Sequence, residues 1–162
     1  MFHNNENAVI GMPIYLIVAL VVTAIILAIF LFSVQYLIRD AQVHSAQSTI
    51  QRIVDEAETM FEHADEGTMV TLHVEFPSSL RFVVFGGLPE GDTSPPQDLI
   101  LNETTSNNYY YVMEDNSVFT GHSIARFSSH NTSEIAVFQT GVYDLTLELI
   151  QNAGRTYVTI SE

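Results

Sequence analysis

Hydrophobic and polar positions along this chain fall into three successive regimes. From Ala8 to Ile38 (AVIGMPIYLIVALVVTAIILAIFLFSVQYLI) no residue is charged, and the flanking charges are Glu6 and Arg39. A bilayer core asks for about 20 such residues in a row. Only a helix satisfies the backbone polar groups of one isolated segment there. The pattern predicts one membrane-spanning helix. From Arg39 to Asp65 there is no Gly and no Pro. Val43, Ala46, Ile50, Ile53, Val54, Ala57, Met60, Phe61 and Ala64 recur at spacings of three and four, with Gln47, Gln51, Arg52, Asp55, Glu56, Glu58 and Glu62 between them. That is an amphipathic helix with one apolar stripe. Pro13 suits a first helical turn and Gly67 a stop. One helix from Pro13 to Asp65 would be about 75–80 Å long at 1.5 Å per residue.

After Thr68 the period becomes two. Val70, Leu72, Val74 and Phe76 alternate with Thr71, His73 and Glu75, which predicts a half-buried strand. Further strands are expected at Leu80–Phe85, Leu99–Leu101, Tyr109–Met113, Glu134–Gln139, Tyr143–Ile150 and Arg155–Ser161, with one or two weak ones within Val118–Phe127. Gly86–Pro96 (GGLPEGDTSPP) is a loop dense in Gly and Pro, and Gln151–Gly154 has the length and glycine of a hairpin turn. The expected fold is α+β. One long N-terminal helix, transmembrane and then amphipathic, precedes a small antiparallel, sandwich-like all-β head. The divisions are a short polar leader (1–12), a transmembrane helix (13–38), an amphipathic continuation (39–66) and the head (67–162). The amphipathic stripe, Ile50, Ile53, Val54, Ala57, Met60 and Phe61 above all, must either cover a face of the sheet or pack against other helices in an assembly.

Composition narrows the function classes. The 162 residues carry a net charge of −14 with five Arg and no Lys. Such a surface disfavours nucleic acid, whose phosphates need a basic partner. No cysteine is present, which removes disulfides, thiolate nucleophiles and Cys-ligated zinc. No phosphate-binding glycine motif, HExxH or GxSxG nucleophile elbow occurs. His73 and Glu75 would share a strand face, but two ligands fall short of the three or four a metal needs. Asp55, Glu56, Glu58, Glu62, Asp65 and Glu66 read as the solvated face of the helix rather than a catalytic pair. Glu90, Asp92 and Asp98 could bind a hard cation such as calcium, although their spacing fits no established loop. The Tyr109–Tyr111 run reads as a strand, with Tyr110 on the opposite face to its neighbours, or as a stacking platform for a glycan. Asn102-Glu103-Thr104 and Asn131-Thr132-Ser133 are N-glycosylation sequons in expected loops. Neither an enzymatic activity nor a cofactor is expected.

The segment ENAVIGMPIYLIVALVVTAIILAIF, feeding an amphipathic helix and a β-rich head, resembles the type IV pilin superfamily, and most of all archaeal pilin-like proteins with class III signal segments. The resemblance covers the helix by pattern and the head by architecture. Two features depart from it. Met1–Asn7 has no Lys or Arg ahead of a processing site, and Glu6 precedes the apolar run, so neither a cleavage position nor the role of an early acidic residue carries over. The resemblance implies a non-enzymatic structural subunit of a surface filament, self-associating or joining similar subunits, anchored in membrane lipid. The alternative is a membrane-tethered module whose head binds a protein, a cell-wall component or a glycan. Arg39 and Arg52 follow the span and would by charge alone hold the head in the cytoplasm. The sequons and the pilin-like layout place it outside, which is the orientation expected here.

Overall fold

The computed structural model describes residues 6–91 and 93–162, with side chains from Ile14 onwards. The expected polar leader therefore falls partly outside the described residues, as does Asp92. A single helix, α1 (Glu6–His63), is followed by eight strands. They are β1 (Met69–Phe76), β2 (Leu80–Phe85), β3 (Asn108–Met113), β4 (Val118–His122), β5 (Phe127–Ser128), β6 (Ala136–Gln139), β7 (Gly141–Asn152) and β8 (Arg155–Ser161). The chain divides into two compact units. The first ends at Ala41 and the second runs from Gln42 to Glu162.

Among the described residues, the first unit is helix alone. Its large apolar side chains, among them Leu16, Ile17, Leu20, Ile25, Ile26, Ile29, Phe30 and Phe32, are exposed. The threonine and serine hydroxyls within the run are turned back on the helix: Thr23 Oγ1 donates to Ala19 O at 2.8 Å and Ser33 Oγ to Ile29 O at 3.1 Å. This is how a hydroxyl is satisfied where no water is at hand. The helix is long and apolar enough to cross a membrane, with a mean hydropathy of 3.1 in its most apolar window. It begins at least seven residues before Pro13, so that proline lies inside the helix and not in its first turn.

The second unit holds the rest of α1 and two four-stranded sheets, ordered β1-β7-β8-β5 and β4-β3-β2-β6. All pairs are antiparallel except β5 with β8. Alternation sets the register. Val70, Leu72 and Val74 lie opposite Leu147, Leu145 and Tyr143, while Thr71, His73 and Glu75 face away with Thr146, Asp144 and Val142. Rings join the two sheets: Phe85 of β2 meets Phe127 of β5 at 5.4 Å, and Phe138 of β6 meets Tyr143 of β7 at 5.7 Å. Ile50, Ile53, Val54, Ala57 and Met60 of α1 enter the same core as Val74, Phe76, Val83, Phe85, Leu145, Leu147, Val158 and Ile160.

Helix side chains reach an edge of each sheet. Thr49 Oγ1 donates to Glu75 O (3.4 Å) and Arg52 donates to His73 O, both on the edge strand β1. Tyr109 of β3 donates to Gln51 Oε1 at 3.4 Å, and Glu58 accepts from Ser123 and Ile124 just beyond β4. An open strand edge invites pairing with another chain; here helix side chains take carbonyls of β1.

The strands at Leu80–Phe85 and Arg155–Ser161 match the expectation to the residue. Three details differ. Leu99–Leu101 forms only one bridge, Ile100 with Glu134. Val118–Phe127 resolves into β4 and the start of the two-residue β5. Gly67 (φ +82) is not the helix stop, since α1 ends at His63 with Ala64 N bonded to Met60 O; Gly67 starts the turn into β1 and donates to Leu149 O. The β7–β8 hairpin turns on Ala153 (φ 50) and Gly154 (φ 79), the two left-handed positions of a tight primed turn. Gly86 (φ +93) ends β2 where an added Cβ would lie 2.8 Å from Phe127 O, so only glycine fits.

Ile53 has no exposed surface. Ile53→Ala should lower the unfolding free energy of the detergent-solubilised full chain by about 2–5 kcal/mol, read from a denaturant titration. At the hairpin, alanine is strained at positive φ and asparagine is not. Ala153→Asn should raise stability by about 0.5–1 kcal/mol in the same titration.

Candidate functional site

Among the described residues, the features able to carry function are a cavity, two sequons and the polar groups around α1. The cavity follows from β2 (LRFVVF) and β3 (NYYYVM), whose apolar side chains point to both faces of their sheet. Inward residues join the main core. Outward ones, Phe82, Val84, Tyr110 and Val112, form a second cluster with Ile135. The Gly- and Pro-rich loop after β2 lies over that cluster and leaves a cavity of about 530 Å³. Tyr110 and Ile135 line it from the sheet, Pro89, Pro95 and Pro96 from the loop, and Glu90, Asp98 and Asn102 supply polar groups. Tyr110 packs edge-on against Phe82 at 6.1 Å. Burial raises its phenol pKa above 10.0, and the negative charge of Glu90 raises it further. With carboxylates and amides but no cation among its lining residues, the cavity suits a neutral hydrogen-bonding ligand rather than an anion.

Tyr109 and Tyr111 face the main core, so the three tyrosines form no common platform. Tyr111 stacks on Phe119 at 5.1 Å with planes 14° apart. Both phenols are shifted upward, foremost by burial. Glu58 and Asp55 add to the shift at Tyr109, and Tyr109 adds to it at Tyr111. Asp98 is engaged as a turn cap, accepting from Ile100 N at 3.0 Å. No group of three or more His, Asp or Glu side chains among the described residues is placed to hold a metal ion. His73 Nδ1 instead meets the Asp144 carboxylate at 2.8 Å, both side chains exposed.

Three acids in or just after the helix hold specific groups, two of them groups of the head. Glu58 Oε1 accepts from Ser123 Oγ at 2.9 Å and Ile124 N at 3.3 Å, Asp55 from Gln51 at 2.7 Å, and Glu66 from Gln151 N at 3.3 Å. Partners 65 to 85 residues away give no local sequence signal. Of the stripe residues, Ile50, Ile53, Val54, Ala57 and Met60 are each at most 3% exposed and Phe61 is half-buried, all within the chain's own core. The stripe therefore takes the first of its two expected roles: it packs against the head's own sheets, and those five residues offer no free area to another subunit.

Both sequon asparagines are exposed. Asn102 Oδ1 accepts from Thr104 N at 3.0 Å and from Thr104 Oγ1 at 2.9 Å, and Asn131 Oδ1 accepts from Ser133 N at 3.2 Å. Comparison with known protein families, characterised proteins and solved structures finds no match to this chain.

The tyrosine shifts have a pH consequence. A phenol whose folded pKa exceeds its unfolded value of about 10 leaves stability intact below pH 10. That stability is lost as pH rises through the folded value. Denaturant titrations should show a flat dependence on Tyr109, Tyr110 and Tyr111 up to about pH 10 and a decline above it. Tyr110→Phe should make the decline shallower.

Proposed function

We propose that this chain is a membrane-anchored, pilin-like structural subunit, its apolar half-helix associating with lipid and with like helices and its β head lying outside the membrane. The observation that carries this reading is the division of α1. Its first half exposes apolar side chains that find no partner in their own unit, and its second half belongs to the core of the β head. A simple tether has no need of an amphipathic helix that the head requires for folding. A subunit whose anchor must transmit position to its head does. Bundled half-helices would form the core of a filament and the heads its coat.

Arg52 supports the outward orientation. Its guanidinium holds His73 O in the head, so it serves folding, and of the two charges that argued for a cytoplasmic head only Arg39, beside Asp40, remains close to the span. The cavity over Tyr110 supports a second reading, a tethered module that binds a neutral ligand such as a glycan.

Negative-stain microscopy of cells expressing a tagged chain, with gold label applied before opening the cells, tests the assignment. Label running along thin filaments is expected. Envelope label without filaments would move the assignment to the tethered module, and label only after opening the cells would place the head inside. Leu27→Arg, in the middle of the span, should abolish filament label, because a central arginine costs about 2.5–3.5 kcal/mol on insertion.

A further inference from the structure

The fold brings the two sequons, 29 residues apart in sequence, to one spot. Ile100 and Glu134 form an antiparallel bridge, flanked by Leu101 N to Ser133 O and Ile135 N to Leu99 O, both 2.8 Å. Asn102 lies two residues after Ile100 and Asn131 three before Glu134, so both sequons leave this one bridge. The middle residues of the two sequons are then held by one hairpin end. Glu103 pairs with Arg155, and Thr132 Oγ1 accepts from Asn152 Nδ2 at 2.6 Å; Asn152 and Arg155 are themselves register partners at the end of β7 and β8. Each tripeptide is thus anchored through its central side chain while its asparagine stays exposed. Nothing about either sequon alone predicts this convergence.

We propose that Asn102 and Asn131 are both N-glycosylated and form a single two-glycan patch at this end of the head. The proposal rests on the outward orientation argued above. The donor class is an oligosaccharide linked to a polyprenyl phosphate or pyrophosphate, supplied with its transferase by the host. Asparagine Nδ2 forms a bond to the anomeric carbon as the bond from that carbon to the lipid phosphate oxygen breaks. The phosphate leaves with the electron pair, and the amide proton passes to a base of the transferase. Asn102 is the better acceptor. Its oxygen takes two hydrogen bonds from Thr104, which draw electron density from the amide and ease loss of the Nδ2 proton, whereas Asn131 takes one from Ser133. Two glycans side by side would cover the β7–β8 turn and the 99–105 loop. Contacts between heads in an assembly would then use other surfaces.

Mass spectrometry of the full chain purified from its own host's membranes tests this, run beside the gold label on intact cells. The expected result is a glycan mass on both asparagine-bearing peptides, with higher occupancy at Asn102. Asn102→Gln and Asn131→Gln should each remove one glycan. Thr104→Ala should remove the first while Thr104→Ser keeps it, a contrast that a folding defect would not produce. Unmodified peptides at either asparagine overturn the patch. If the head is nevertheless labelled on intact cells, the membrane-anchored reading stands without it. If the label appears only in opened cells, both fall.

Discussion

Burial of one stripe of α1 between two small sheets is the contact on which the head depends. Neither sheet is large: β5 contributes two residues and β6 four. Each isolated sheet would leave an apolar face in water, and packing them together still leaves the side from β1 to β4 to be closed. Ile50, Ile53, Val54 and Met60 close it. Each such side chain contributes about 1.5–3 kcal/mol on full burial. A head cut away from residues 42–63 would lack these contacts. The helix also deals with strand edges. Thr49 and Arg52 take carbonyls of β1, and Glu58 takes a hydroxyl and an amide beyond β4. Apolar burial and edge capping come from neighbouring turns of one helix, so orientation and closure are fixed together.

The same helix has two compositions, one apolar on all sides and one amphipathic, and the change falls near the boundary between the two units. From Ala8 to Ile38 it carries no charge, and its threonine and serine hydroxyls bond to their own backbone, the arrangement suited to lipid. Beyond Gln42 it is half polar, and several of its polar residues have named partners in the head. Acidic residues in this second stretch are therefore of two kinds. Glu58 and Asp55, with Glu66 just past the helix end, hold specific groups, and the remainder lie on the solvated side. The high negative charge of the chain includes structural carboxylates as well as solvated ones.

Much of this was legible in the sequence where a pattern is local. The long apolar helix followed from an uncharged run, the amphipathic stretch from spacings of three and four, and β1, β7 and β8 from alternation. What stayed hidden depends on contacts between distant segments. β5 exists because Arg126–Ser128 lies along β8; two residues cannot display a period. The strand expected at Leu99–Leu101 has the right residues but only one bridging partner. Gly67 looked like a helix stop because glycine serves turns of several kinds, and its φ answers to the entry into β1. Both sequons were visible, but their adjacency comes from the bridge between Ile100 and Glu134.

One further signal was present in β2. A strand that buries one face reads as an alternation, as β1 does. LRFVVF does not alternate after Arg81, and such a run means cover on both faces. The inner face meets the other sheet; the outer needs a second cover, which the Gly- and Pro-rich loop provides. Its prolines limit the chain entropy lost in holding the loop there. The two outer faces of the sandwich are consequently unlike. That of the β1–β7 sheet carries Thr71, His73, Glu75, Asp144, Thr146 and Glu148 and meets water directly. That of the β2–β3 sheet lies beneath a loop that encloses a cavity around a buried tyrosine. A head used only as filler in an assembly has no evident need of that cavity. Its presence is the physical reason to keep ligand binding beside the proposed structural role.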